Sequence, residues 1–166
     1  AEVNHYFWLT GREERTNMLA EVIEKYGRSI IFCRTKHGAD RLSHQLGQRG
    51  IRAVAIHGDR SQAQREKALA SVVSGHADVL VATDVAARGI HIEALPCVVH
   101  YDPPQLAEDY IHRSGRTGRA GEPGTVISLV MKDMIGHTKR LQRELGFTVG
   151  VGTREDSVAQ TLTPKK

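Results

Sequence analysis

Short runs rich in isoleucine and valine, spaced by longer amphipathic stretches, constrain this chain more than any other feature. The runs cover residues 3–9, 29–33, 52–56, 79–83, 97–101 and 125–130. Their near-continuous apolar character fits strands covered on both faces, as in a parallel sheet. Helices are expected between them, over 13–26, 37–48, 61–74, 105–113 and 134–145. Leu19, Val22, Ile23 and Tyr26 form the stripe of a helix that packs on a sheet. Ser61 with Gln64 has the spacing of a capping box opening the third helix. Gly27, Gly50 and Gly75 each stand just past a helix, where a left-handed residue is wanted. The pattern predicts an α/β domain, an open and mostly parallel sheet with helices on both faces. Ligands of such sheets bind beyond the carboxyl ends of the strands. One domain is expected over 1–149, and 150–166, polar and without apolar periodicity, as a disordered tail or linker.

At 166 residues the chain has the size of one ordinary domain. A net charge of +4 and a pI near 9.3 suggest a polyanionic partner, though the excess is modest. Sixteen of the 23 cationic residues are arginine. Arginine's planar fork suits phosphate oxygens, and a GC-rich genome would favour it equally. Cys33 and Cys97 sit inside apolar runs, with no CxxC pair and no zinc-finger spacing. They read as small hydrophobes, and neither a disulfide framework nor a bound metal is expected. No signal peptide or apolar run of membrane-spanning length is visible, so no membrane is expected as a partner and the cytoplasm is the expected compartment.

The densest chemical signal is His112-Arg113-Ser114-Gly115-Arg116-Thr117-Gly118-Arg119. Arginines at three-residue intervals, read on their own, are not there for a core. Gly115 and Gly118 let the backbone bend and approach a ligand. Converging guanidinium groups suit a triphosphate, whose charge spreads in the transition state. The bland alternatives are a solvated basic turn, or a phosphate site in an unrelated protein.

That octapeptide resembles motif VI of the DEAD-box RNA helicases. Ala82-Thr83-Asp84-Val85-Ala86-Ala87-Arg88-Gly89-Ile90 looks like motif V, and residues 31–36 resemble motif IV. Gln62-Ala63-Gln64-Arg65, just after His57-Gly58-Asp59, fits the QxxR element. Tyr101-Asp102-Pro103-Pro104 fits the family's YDxP. Order and spacing agree over residues 3–147. The chain is thereby identified as resembling the second RecA-like domain of such a helicase. The resemblance implies that Arg116 and Arg119 are arginine fingers reaching the phosphates of ATP, with His112 bridging to the first domain. It puts Arg65 and Thr83 on the RNA backbone, with Gln62 and Gly58 beside them. Arg88, Gly89 and His91 fall on the nucleotide side of motif V.

The residues themselves agree with several of these roles. Thr83 ends a strand, so its hydroxyl and nearby N–H groups face the ligand edge. Arg65 falls near the start of a helix, which attracts phosphate; without the motif it reads as a surface charge. His57 is expected to shape the turn after its strand. Aromatics make up only 5% of the chain, so no base-stacking platform is expected and RNA binding should be independent of sequence. One departure stands out. The family usually carries Asp where this chain has His91, and that Asp commonly bonds the ribose of ATP. A neutral imidazole offers one acceptor, and a protonated one offers none.

No GxxxxGK[ST] loop and no acidic quartet occur. ATP and Mg2+ are therefore expected to be held mainly by a first RecA-like domain of the same protein. The chain reads as a piece of a longer protein, beginning in an interdomain linker and inactive as an ATPase alone. Closure of two such domains would bring the fingers to the γ-phosphate and bend one RNA strand. Rival readings are a non-catalytic interaction module and a DNA helicase. Against the second, DNA-directed relatives typically carry a Gln and GRAGR at motif VI.

Overall fold

The computed structural model describes residues 3–92, 95–118, 122–148, 150–154 and 159–161. Its centre is β2 (Ser29–Phe32), buried at all four positions. Such a strand needs cover on both faces, and its side chains alternate accordingly. Ile30 and Phe32 join one cluster, while Ile31 and Cys33 join the other. The same alternation runs through β4 (Val79–Ala82) and β5 (Cys97–His100). With β1 (Val3–Leu9), β3 (Ala53–Ile56) and β6 (Gly124–Val130), they form one sheet in the order β1-β6-β5-β2-β4-β3. Every pairing between these strands is parallel.

Helices α1 (Arg15–Tyr26) and α2 (Lys36–Gln48) cover one face through Leu19, Val22, Ala39, Leu42 and Leu46. On the other face lie α3 (Gln62–Val73), α4 (Asp84–Arg88), α5 (Ala107–Ser114) and α6 (Ile135–Leu145). The expected capping box at Ser61 is present in both halves. Gly27, Gly50 and Gly75 all have φ between 79° and 90°, as their places past helices require. Helix α4 was not foreseen; five residues are too few to show a period.

The segment after residue 149 differs from the expected disordered linker where it is described. Gly152 exchanges backbone bonds with Phe7 and Leu9 (3.2 and 2.7 Å), and Gln160 with His5 (2.7 and 2.9 Å). Arg154 also pairs with Glu21 of α1. These contacts cover the outer edge of β1. Residues 155–158 and 162–166 lie outside the described residues.

Candidate functional site

Phe32, Ile56, Ala82 and His100 are level in the sheet register. The loops that follow them therefore open on one face, at the carboxyl ends of the strands. After β3, buried His57 accepts the Asp59 N–H on Nδ1 (3.2 Å), which leaves Nε2–H to donate to Asp40 (3.1 Å). It shapes the turn, as expected, and leaves Gly58 exposed with open space above it. Thr83 follows β4, and its N–H is spent on the Ile56 carbonyl (3.3 Å).

Gln62 and Arg65 lie in the first turns of α3 and meet motif V at Gly89. Gln62 donates to the Gly89 carbonyl at 2.7 Å. A Cβ on Gly89 would sit 3.1 Å from Nη1 of Arg65, so a side chain there would push the guanidinium back by a few tenths of an ångström. The Nε of Arg65 is buried with no hydrogen-bond partner among the described residues. Gly89 thus joins Gln62 and Arg65, the pair assigned to RNA. His91 is exposed two residues further on.

The motif VI arginines part company. Arg113, in the last turn of α5, is 3% exposed, which corrects the reading that none of these arginines serves the interior. Its Nε and Nη2 grip both carboxylate oxygens of Asp84 (2.7 and 2.8 Å), and Nη1 donates to the Asp102 carbonyl (2.7 Å). Nη1 also lies 3.4 Å from Nδ1 of His100, and the guanidinium sits over the Phe32 ring at 5.3 Å. One fork thereby ties motif VI to motif V and to the turn after β5. That turn has a second clamp. Asp102 accepts the Arg34 N–H (2.8 Å), while Arg15 bonds the Tyr101 carbonyl (3.1 Å) and covers the Tyr101 ring. None of these roles for Asp84, Asp102, Arg113 or Arg15 was read from the sequence. They join residues far apart in the chain, and the nearest available signal was Asp84 beside Thr83.

Beyond α5 the loop is pinned again. Buried Thr117 donates to the Leu95 carbonyl, and Leu95 N–H donates to the Arg116 carbonyl (3.3 Å). Gly118 has φ 71°, and a Cβ there would fall 2.2 Å from Val3. Its close approach is to β1, and Gly115 has an ordinary φ of −67°. Arg116 is therefore held between two anchors. Its side chain lines a small hollow with Arg88, Asp109 and exposed His112. Arg88 pairs there with Asp109 at 3.2 Å. Arg119 lies outside the described residues.

Behind this face the core carries a polar stack. His100 is fully buried, with its ring parallel to Tyr110 at 4.5 Å, and its Nε2 meets Ser114 (3.2 Å). His5 meets the Tyr110 hydroxyl at 2.7 Å. Burial pushes His5 down to about 4, and holds His100 well below the usual histidine value with help from the charges of Arg113 and His5. Burial also pushes the Cys33 thiol up and that of Cys97 to about 12, which leaves neither nucleophilic. Among the described residues, no cluster of His, Cys, Asp or Glu could hold a metal, and no helix is long and apolar enough to cross a membrane.

A parallel sheet with clustered cations at its carboxyl edge is the architecture of a RecA-like motor domain. The sequence profile of the helicase conserved C-terminal domain matches residues 14–121. The chain is 38% identical over 146 residues to DEAD-box ATP-dependent RNA helicase 30 of Arabidopsis thaliana, covering 86% of this chain and 25% of that protein. It is 39% identical over 155 residues to the ATP-dependent RNA helicase RhlB of Escherichia coli O1:K1, covering 92% and 37%. It thus spans between a quarter and two fifths of the length of these curated relatives. The crystal structure of the E. coli DEAD-box protein SrmB, bound to regulator of ribonuclease activity A, superimposes with a TM-score of 0.83 at 33% identity, covering 93% of this chain and 91% of that one. The chain belongs to the helicase conserved C-terminal domain family, as the second RecA-like domain of a DEAD-box RNA helicase.

Proposed function

We propose that this domain supplies arginine fingers and half of an RNA backbone groove to an ATP-dependent RNA helicase. The observation that carries the reading is the double anchoring of Arg116. Arg113 fixes one side of it through Asp84, and Thr117 with Gly118 fixes the other. Its guanidinium then shares one hollow with Arg88 and His112 at the ligand edge of the sheet. Preorganised cations of this kind stabilise charge that develops on a transferring phosphoryl group. Arg119 joins Arg116 on the strength of the motif. His112 would bridge to the first domain, while Arg88 and His91 would meet the nucleotide.

Gln62 and Arg65, seated on Gly89 with Thr83 and Gly58 at the neighbouring strand ends, form the RNA side. These groups favour sequence-independent contacts to the sugar–phosphate backbone. ATP and Mg2+ would be bound mainly by the first domain, which leaves this chain without turnover of its own. Two buried, reduced cysteines fit a cytoplasmic setting. The test is Arg116→Ala in the protein carrying both domains. RNA-stimulated phosphate release should fall on the order of 10³-fold or more while RNA affinity stays nearly unchanged. A fall below about tenfold, roughly 1.4 kcal/mol, would place the finger elsewhere. Phosphate release by the present chain alone, with ATP, magnesium and RNA, should stay at background.

A further inference from the structure

The two edges of the sheet are finished differently. The outer edge of β1 is covered by the chain's own Gly152 and Gln160. Edge strand β3 has no such cover among the described residues. The bonds at its ends, Val79 N–H to Arg52 O (3.2 Å) and Thr83 N–H to Ile56 O (3.3 Å), fix its phase against β4. Arg52, Val54 and Ile56 turn their backbone groups inward, so Ala53 and Ala55 turn theirs outward. Neither has a backbone partner on that side among the described residues. Their methyl side chains do nothing to screen it.

In front of this edge runs a groove of about 570 Å³ between α2 and α3. One wall carries Arg60, from the turn before α3, with Gln64 and Lys67 of α3, and the α2 wall carries Asp40 and Ser43. Arg60 and Lys67 are exposed and pair with no carboxylate among the described residues. Asp40, the acid of this lining, is engaged by His57. The Ser43 hydroxyl is buried without a hydrogen-bond partner among the described residues.

We propose that this groove takes an extended acidic segment of a partner protein, which adds to β3 as a further strand. Strand addition satisfies donors and acceptors together at the two-residue spacing that Ala53 and Ala55 present. A sugar–phosphate backbone offers mainly acceptors and would leave the alanine carbonyls unmet. A second copy of this chain would bring a second Arg60 and Lys67 against the first. Glutamate or aspartate at alternate positions of an added strand faces those two cations instead. The groove lies beside α3 but apart from Gln62 and Arg65, which turn to Gly89, so the inference stands independently of the RNA reading.

The test uses two synthetic octapeptides, one alternating glutamate with threonine and one alternating lysine with threonine. Amide hydrogen exchange is followed on the isotopically labelled chain. The acidic peptide should slow exchange of the Ala53 and Ala55 amides by about tenfold or more at saturation, while Val54 and Ile56, already bonded to β4, change little. The lysine peptide should leave all four unchanged. Reversing both cations, Arg60→Glu with Lys67→Glu, should weaken acidic-peptide binding at least about tenfold. Ala55→Pro removes an outward N–H that β4 does not use; it should preserve the far-ultraviolet circular dichroism and abolish binding. Should that variant fail to fold, the charge-reversed protein decides the matter. Equal effects of the two peptides, or no protection by either, overturn the proposal. So does protection of Ala53 and Ala55 by single-stranded RNA, or protection that grows with protein concentration in the absence of peptide.

Discussion

Acidification from about pH 7.5 to about pH 5 should cost this domain about 2 kcal/mol through one side chain, His5. His5 is 2% exposed, lies against the Tyr110 and Phe147 rings, and meets the Tyr110 hydroxyl at 2.7 Å. Burial pushes its imidazole from 6.5 down to about 4. The folded form therefore resists a proton that the unfolded chain accepts. Stability is full above pH 6.5 and is lost as the pH falls from there through about 4. The loss comes to about 2 kcal/mol at pH 5 and about 3 kcal/mol at pH 4, at roughly 1.36 kcal/mol per pH unit. His100 acts in the same direction. Asp59 and Asp78, held low by Lys36 and Arg52, act at lower pH, below the ordinary carboxylate value of 3.8. The variant to compare is His5→Gln, which does not titrate but can still accept from Tyr110. Urea unfolding can be followed at pH 7.5, 6 and 5 by the fluorescence of Trp8, the single tryptophan and a buried neighbour on β1. The variant should lose about 2 kcal/mol less than the unaltered chain over that range. Parallel stability–pH curves for the two proteins would show that His5 does not resist protonation, and the reasoning fails.

Arg113→Ala should destabilise the domain by about 3 kcal/mol in urea titrations, since it strands the Asp84 carboxylate; the partial exposure of that acid keeps the cost at the low end for a broken buried pair. Gly118→Ala should lower the melting temperature by several degrees, because φ 71° and the Val3 contact both oppose a side chain. Arg65→Ala in the two-domain protein should weaken RNA binding alike for all sequences and flatten the salt dependence by roughly 0.7 to 0.9 per lost phosphate contact; titrations at several salt concentrations read this directly. His91→Asp in the same protein should tighten ATP binding about two- to tenfold with RNA saturating, the worth of a neutral hydrogen bond. Equal nucleotide affinities for the two variants would remove position 91 from the nucleotide.

The strands were legible because burial on both faces leaves an unbroken apolar run, as at Ile30-Ile31-Phe32, that nothing else in a soluble domain requires. Helix α1 showed its period and α3 its capping box, whereas α4 was too short to have a period. Gln62, Arg65 and Arg88 follow the carboxyl ends of β3 and β4, as strand direction implies, whereas His112 and Arg116 come at and after the end of α5, before β6, where strand direction gives no guide. What stayed hidden was which arginine goes inside. Arg113 and Arg116 look equivalent in sequence, yet one ends a helix facing the sheet and the other follows the helix in an anchored loop. The partner that settles Arg113, Asp84, lies 29 positions away and leaves no mark on local spacing. The backbone pairing of Gly152 and Gln160 with β1 was invisible for a different reason, since main-chain bonds ask little of side-chain pattern.

The position of β2 bears on how the chain comes to be folded at all. Ser29 pairs with Val79 and with Cys97, roughly 50 and roughly 70 residues further along. On a ribosome, the apolar segment 29–33 is therefore made well before either neighbour exists. Neither flank of β2 can be sealed until β4 and β5 have left the exit tunnel, and closing such distant contacts is slow. In that interval Ile30, Ile31 and Phe32 are left as exposed apolar surface on the nascent chain. Helices α1 and α2, built from local bonds, are the first structures that can shelter it, and then on one face only. Variants that weaken those two helices should show themselves first as poor yield during synthesis, before any defect appears in the protein that does fold.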